Sequence, residues 1–304
     1  MSLLRQITDF IMRSRSHAFG VAFVCAFVPL LGSISILIAG LVTLRKGLWE
    51  GALILFAATA PFLIKYYMTS LPADETELAW VAMLTLVVSN VLVWIYALLL
   101  RQYSNWSLVL ELSALFSIVI IGAIHWFNPD IQAWWGAQLN AYFTKMKTAV
   151  PNADFTVQLQ AVDAIKSMAT GLMILSLLLN GLLQVVLARW WQVIIYEPGM
   201  TLRQELYRIR LGHVVGILFI AILLLSYWAN SATALDIRPV FYGLFFIAGL
   251  SVVHYLLALT KYTWFWLMLF YVTLIALFPK SIMLVAFFAL LDVLLDLRRR
   301  LTRV

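Results

Sequence analysis

The chain has 304 residues, of which 64% are hydrophobic and only 12% are charged, and its net charge is +7. Water-soluble domains contain about 45–50% apolar and about 25% charged residues, so this composition excludes an ordinary soluble fold. Cations at helix ends on one side of a membrane explain the positive charge better than nucleic acid binding, and we expect no nucleic acid partner. Because Cys25 is the single cysteine, an intramolecular disulfide is also excluded.

Apolar stretches recur along the chain, and a spanning helix needs about 20 such residues. Residues 17–44 are too long for one span and are interrupted from Pro29 to Gly32, and residues 262–295 are interrupted at Pro279 and Lys280. Between them lie six further segments: 51–67, 78–100, 107–127, 168–190, 214–228 and 239–259. The pattern predicts an all-α, polytopic transmembrane helical bundle of about ten segments. Two short Pro-broken hairpins are included, and residues 1–304 form a single integral membrane domain.

The distribution of cations predicts the orientation of this bundle. Fifteen of the 21 lysine and arginine residues fall on one side of the ten-segment layout. Cytoplasmic loops of membrane proteins carry such an excess. We therefore expect a protein of the bacterial inner membrane with both termini in the cytoplasm. Arg13 and Arg15 precede the first apolar run as in a signal peptide, but no small-residue cleavage site follows, so we expect a retained first span.

Two connections are expected to form amphipathic surface helices. The outer one, residues 128–166, opens with Asn128-Pro129-Asp130, which is typical of a capping residue followed by proline in the first helical turn. Apolar residues then recur at helical spacing. The inner one, residues 189–212, has a Pro198-Gly199 turn and a short basic helix after a capping box at Thr201 and Gln204.

Three local patterns carry a resemblance to a known family. They are Leu44-Arg45-Lys46-Gly47; Ala188-Arg189-Trp190-Trp191-Gln192 with Pro198-Gly199, Glu205 and Arg210-Leu211; and Leu291-Asp292 with Asp296-Leu297-Arg298-Arg299-Arg300. Together they resemble the YybS-like family of bacterial multi-pass membrane proteins, whose function is not established. That family is similar in helical pattern to the substrate-binding membrane subunits of energy-coupling vitamin transporters. The resemblance therefore implies a role in transport.

Polar side chains inside apolar segments are costly and need a partner or a function. Glu111 could bind a proton or a cation, or it could form an ion pair with Arg101 or Arg189. Instead of lining a cavity, the buried amides could form interhelical hydrogen bonds. His125 and His254 could likewise make ordinary hydrogen bonds and have no functional role. The candidate residues for a substrate cavity are Asn90, Glu111, Asn180, Gln184 and His254.

The basic inner face is a second candidate surface, for a cytoplasmic protein partner or an anionic lipid. Instead of docking a partner, its tryptophans could belong to an aromatic belt at the membrane interface. Its aspartates could instead anchor the last helix against the inner connection. The spacing of Asp296 and Arg300 predicts an ion pair on one helix. The candidate docking residues are Arg45, Gly47, Arg189, Trp190, Trp191, Pro198, Gly199, Glu205, Arg210, Asp292, Asp296, Arg298 and Arg300.

Motifs of catalysis are missing from the sequence. There is no Gly-rich phosphate loop, nucleophile elbow or zinc-protease helix, and the four histidines lack the close spacing of a metal motif. We therefore predict no catalytic residue, metal or cofactor. A small-molecule permease or substrate-binding membrane subunit is the first hypothesis, a non-enzymatic scaffold is the second, and an intramembrane enzyme is the third.

Overall fold

The computed structural model describes residues 3–28, 31–69, 73–150 and 155–301. Within these ranges every regular element is an α-helix, which confirms the predicted all-α class. The helices are α1 (Leu3–Met12), α2 (Arg15–Phe27), α3 (Gly32–Lys46), α4 (Leu48–Met68), α5 (Ala73–Tyr103), α6 (Trp106–Phe127), α7 (Ile131–Ala149), α8 (Thr156–Lys166), α9 (Ala169–Tyr196), α10 (Leu202–Leu206), α11 (His213–Tyr227), α12 (Ala232–Ala258), α13 (Thr263–Ala276), α14 (Lys280–Leu295) and α15 (Leu297–Leu301).

Five of the described helices are long and apolar enough to cross a membrane. They are α4, α5 over Leu78–Tyr103, α6, α9 and α12, which have 21 to 28 residues. The other five predicted segments correspond to α2, α3, α11, α13 and α14, and these have only 13 to 16 residues. A spanning helix needs about 17–25 residues. The structure therefore supports a membrane protein with five candidate spans, and it does not establish about ten.

Both predicted interruptions separate two helices. Helix α2 ends at Phe27 and α3 begins at Gly32, while Pro29 lies outside the described residues. The Ser35 hydroxyl donates to the Ala22 carbonyl at 2.6 Å, which ties these two helices together. In the second pair, α13 ends at Ala276 and Pro279 immediately precedes α14.

The two predicted surface connections also contain helices. The outer connection forms α7 and α8, with residues 151–154 outside the description. Its predicted start was wrong: Pro129 precedes the helix, which begins at Ile131, and Asn128 contributes its backbone carbonyl to the Ile131 N–H at 3.2 Å. On the inner side α9 continues to Tyr196, and the short helix α10 follows the turn at Gly199, whose φ of 97° favours glycine.

The contacts divide the chain into two compact units. Unit 1 comprises residues 1–109 and 177–206, and unit 2 comprises residues 110–176 and 207–304, so the division falls within α6 and α9. In unit 1, helices approach closely at small residues, as membrane helices commonly do. A Cβ at Gly40 would lie 3.1 Å from the Ala188 Cβ, and one at Gly181 would lie 3.1 Å from the Tyr96 ring. The single domain over residues 1–304 stays a prediction.

Unit 2 is built around α12. Phe219 of α11 packs against Phe241 and Phe245 of α12 with ring centroids 5.8 and 4.5 Å apart, and all three side chains are buried. On the same helix, a Cβ at Gly249 would lie 2.3 Å from the Val285 carbonyl oxygen of α14. The absence of a side chain at Gly249 therefore permits this close helix packing.

Candidate functional site

A buried carboxylate lies in unit 2. Asp236 is 0% exposed, and it accepts a hydrogen bond from the Gly171 backbone N–H at 2.7 Å through Oδ1. Its other oxygen, Oδ2, lies 3.0 Å from Nε2 of His125, whose side chain is 8% exposed. When a proton is on Oδ2 or on Nε2, the two ionisable groups form a hydrogen bond. We call these two side chains the His125–Asp236 pair.

The local sequence explains how α12 brings Asp236 into this position. Ser231 caps the helix, and its hydroxyl accepts a hydrogen bond from the Ala234 N–H. The helix then continues through Pro239, so Asp236 lies one turn inside it. Next to the pair, the Trp135 indole donates to the Thr170 hydroxyl at 3.0 Å. Hydrogen bonds thus join α6 to α12, α7 to α9 and α9 to α12 at this end of unit 2.

Asp236 is the residue that sequence reasoning missed. The span predicted from hydropathy begins at Pro239, so it leaves Asp236 in a connection. The overlooked signal was Ser231, a preferred N-cap residue followed by alternating Ala and Thr, which moves the helix start to Ala232. His125 was expected to make an ordinary hydrogen bond, and its partner is a buried carboxylate.

Glu111 has a different partner from either predicted arginine. Its Oε1 accepts the Gly212 N–H at 2.7 Å, and Gly212 is the residue directly before α11. The carboxylate thus satisfies a backbone donor at the beginning of α11, where negative charge is favourable. Arg101 instead donates to the Thr43 carbonyl at 3.3 Å.

His254, the other candidate in unit 2, is hydrogen-bonded through both ring nitrogens. Its Nδ1 lies 2.8 Å from the Leu250 carbonyl, and its Nε2 lies 3.1 Å from the Tyr271 hydroxyl. The Leu250 contact lies within α12, and the Tyr271 contact joins α12 to α13. The predicted alternative of an ordinary hydrogen-bonded histidine describes them well.

The three amide candidates lie in unit 1. Asn90 donates to the Thr59 hydroxyl at 3.1 Å, and Asn180 donates to the Ser89 hydroxyl at the same distance. The two bonds join α5 to α4 and to α9. Gln184 is buried, and its Oε1 has no hydrogen-bond partner. That these residues line a substrate cavity stays a prediction.

The candidate docking residues of unit 1 centre on Arg189. Its guanidinium lies 2.6 Å from a carboxylate oxygen of both Glu197 and Glu205, and it also donates to Gln192 at 2.9 Å. Glu205 further accepts the Trp106 indole N–H at 3.1 Å. This network holds the Pro198-Gly199 turn and α10 against the end of α9.

The remaining docking candidates of unit 1 have separate environments. The Arg45 guanidinium lies over the Tyr196 ring at 4.1 Å, and Gly47 ends α3 with a φ of 103°. Trp191 is buried and donates to the Thr8 hydroxyl at 2.8 Å, whereas Trp190 is 48% exposed. Trp191 thus anchors α1 within unit 1.

The docking candidates of unit 2 form a second ion-pair network. The Arg210 guanidinium lies 2.7 Å from the Asp296 carboxylate, and Arg298 lies 3.1 Å from that of Asp292. The predicted ion pair of Asp296 with Arg300 was wrong. Because α14 ends at Leu295 and Asp296 adopts a left-handed conformation, Asp296 and Arg300 do not share one helix.

Two cavities lie among the described residues, and neither is lined by residues of these networks. The first, which we call the Lys280 groove, is about 450 Å³ and is lined by Phe219, Leu223, Tyr242, Lys280, Met283, Leu284 and Phe287. The second, the His17 groove, is about 420 Å³ and lies in unit 1, lined by Phe10, Ser16, His17, Gly20, Val21, Val24 and Cys25.

In the described part of the chain, no group of three or more His, Cys, Asp or Glu side chains is arranged to hold a metal ion. Comparison with known proteins gave no match: no family model, no curated protein and no solved structure matches this chain.

Proposed function

We propose that this chain is a multi-pass protein of the bacterial inner membrane that binds and carries a small solute, and that the His125–Asp236 pair is its proton-binding group. The proposal rests on the burial and the hydrogen bonding of this pair. Ionisable residues inside membrane helices are costly and are concentrated on ion pathways and proton relays. Asp236 is the most deeply buried carboxylate in the candidate spans of unit 2, and its partner is a histidine, a residue type that commonly acts as a proton shuttle.

The geometry of the pair fits proton exchange. The Gly171 N–H donates to Oδ1 of Asp236. This oxygen therefore stays oriented as an acceptor whether the shared proton is on Asp236 or on His125. Oδ2 and Nε2 are within hydrogen-bond distance, so a proton can pass between them without movement of either helix. The resemblance to the YybS-like family belongs to the same proposal, because it points towards substrate-binding membrane subunits.

Ligand binding as a function of pH tests this proposal. The full chain, purified in detergent, is screened for thermal stabilisation by small metabolites, and the affinity of the best ligand is measured from pH 5.5 to pH 8. We expect about a tenfold change in affinity across this range for the wild type. His125→Gln keeps a donor towards Asp236 but does not titrate, so its affinity should be nearly constant with pH.

His213→Gln is the matched control, because His213 is exposed and lies in the same unit. This variant should keep the pH dependence of the wild type. The same pH profile in wild type and His125→Gln would show that the pair is not the proton-binding group. No stabilisation by any metabolite would count against solute binding itself.

The second candidate function is a scaffold that docks a cytoplasmic partner. Arg299 and Arg300 favour it, because both are exposed directly after Arg298, which is held by ion pairing to Asp292. Co-purification of a protein that is lost in the double variant Arg299→Glu, Arg300→Glu, while Arg298 is kept, would support docking over transport.

A further inference from the structure

The Lys280 groove lies between three helices of unit 2. Phe219 and Leu223 come from α11, Tyr242 comes from α12, and the remaining four residues come from α14. Six of the seven lining residues are apolar or aromatic, and Lys280 is the single cation among them. A cavity of about 450 Å³ is within the range of about 300–1,000 Å³ found for ligand sites.

The groove has an apolar length and one charged end. Lys280, Leu284 and Phe287 follow one another on α14 at spacings of four and three residues, so they lie along one helix face. At 1.5 Å per residue, the distance from Lys280 to Phe287 is about 10 Å along the helix axis. The apolar part therefore accommodates an extended hydrocarbon chain, with Lys280 at its end.

A second cation lies towards the same end. A Cβ at Gly216, near the start of α11, would lie 2.9 Å from Val293, near the end of α14. Leu223, further along α11, lines the groove with Met283 and Leu284 from the first half of α14, so these two helices run in opposite directions. The beginning of α14 consequently faces the C-terminal part of α11, which carries Tyr227. Arg238 lies over the Tyr227 ring at 5.1 Å and precedes Tyr242 by one turn. Lys280 and Arg238 thus concentrate positive charge at one end of the groove.

This charge has no carboxylate partner in the described residues. Neither Lys280 nor Arg238 forms an ion pair there, in contrast to the paired Arg189, Arg210 and Arg298. On α14, Met283, Leu284 and Phe287 are 48%, 61% and 56% exposed, so the groove is open along its side. An occupant can therefore enter laterally from the acyl region of a bilayer.

We propose that the Lys280 groove binds an anionic phospholipid, with one acyl chain along Met283, Leu284 and Phe287 and the headgroup phosphate on Lys280. Charge complementarity selects this occupant, because a zwitterionic headgroup gains less than an anionic one from two cations that have no carboxylate partner among the described residues. The proposal does not depend on solute transport or on the His125–Asp236 pair.

Photo-crosslinking of the full chain in nanodiscs tests the site. The probes are phosphatidylglycerol and phosphatidylcholine with a diazirine at the same acyl position, and the labelled residues are mapped by mass spectrometry. Phosphatidylglycerol should label Leu223, Met283 and Phe287 at least about fivefold more than phosphatidylcholine does, since each cation near the surface strengthens anionic-lipid binding by about this factor.

Lys280→Gln should lower the phosphatidylglycerol labelling about fivefold. Lys65→Gln is the matched control and should leave it unchanged, because Lys65 is an exposed lysine at the end of another candidate span and lines neither groove. Met283→Trp fills the apolar part while keeping Lys280, and it should reduce labelling for both lipids.

The His17 groove provides an internal comparison, because it has a similar volume but no lysine or arginine among its described lining residues. Labelling there should not distinguish the two headgroups. Equal labelling of the Lys280 groove by both lipids, or unchanged labelling after Lys280→Gln, would overturn the proposal. So would preferential phosphatidylglycerol labelling of both grooves to the same extent.

Discussion

Gly171 lies where α9 begins beside α12, and two of its features matter for the His125–Asp236 pair. Its N–H donates to the Asp236 carboxylate at 2.7 Å. A Cβ at this position would lie 1.6 Å from the Asp236 carbonyl oxygen, which is a backbone atom and has no rotamer to relieve the overlap. The close approach of the two helices and the burial of Asp236 therefore depend on the same glycine.

We expect Gly171→Ala to lower the free energy of unfolding by about 3 kcal/mol, because overpacking would push α9 and α12 apart. Gly122→Ala is the control, since a Cβ at Gly122 of α6 would have no neighbour within 4 Å. The control should be neutral or stabilising by up to about 1 kcal/mol, as alanine is the better helix former. Thermal denaturation in detergent measures both, and equal melting temperatures would contradict the packing described here.

At the scale of elements, α15 holds the end of the chain against the connection between α10 and α11. The Arg298 guanidinium donates to the Tyr207 carbonyl at 2.6 Å and to the Ile209 carbonyl at 2.5 Å, and it binds the buried Asp292. Burial lowers the pKa of the Arg298 guanidinium below its ordinary value, and the charge of Asp292 opposes this shift. Arginine nevertheless keeps its charge in proteins, so the contacts persist at neutral pH.

Arg298→Gln should destabilise unit 2 by about 3 kcal/mol, since it removes the closer of the two arginines of the buried Asp292 and leaves only Arg210, whose Nε is 3.9 Å away. Arg299 is exposed, so Arg299→Gln should have little effect. Hydrogen–deuterium exchange of residues 207–210 measures the difference. Faster exchange is expected only in Arg298→Gln, and the same exchange rate in both variants would show that Arg298 does not hold this connection.

For the whole molecule, solvent exposure and sequence hydrophobicity point to the same environment. Large apolar side chains such as Phe56, Val119 and Trp126 are 63%, 66% and 82% exposed. Such residues on long helices are expected to face acyl chains, because helices satisfy their own backbone hydrogen bonds in lipid. The predicted membrane orientation rests on charge alone, since cations accumulate on the cytoplasmic side of membrane proteins.

We predict that both termini are cytoplasmic. A green fluorescent protein fused to the C-terminus should fluoresce, and alkaline phosphatase at the same position should be inactive, because it folds only outside the cytoplasm. Phosphatase inserted between residues 150 and 155, in the outer connection, should be active. An active phosphatase at the C-terminus together with a cytoplasmic N-terminus would require an odd number of spans and would contradict the ten-segment layout.

The sequence alone determined the helical class, the apolar helices long enough to cross a membrane and the two interrupted helix pairs, because hydropathy and proline act within a few neighbouring residues. It also identified Glu111, Asn90 and Asn180 as polar residues that need partners. Only the tertiary structure decided which partners they have. His125 and Asp236 are 111 residues apart, and Gly171 and Asp236 are 65 apart. No local pattern encodes such pairings, since they form only when packing brings distant helices together.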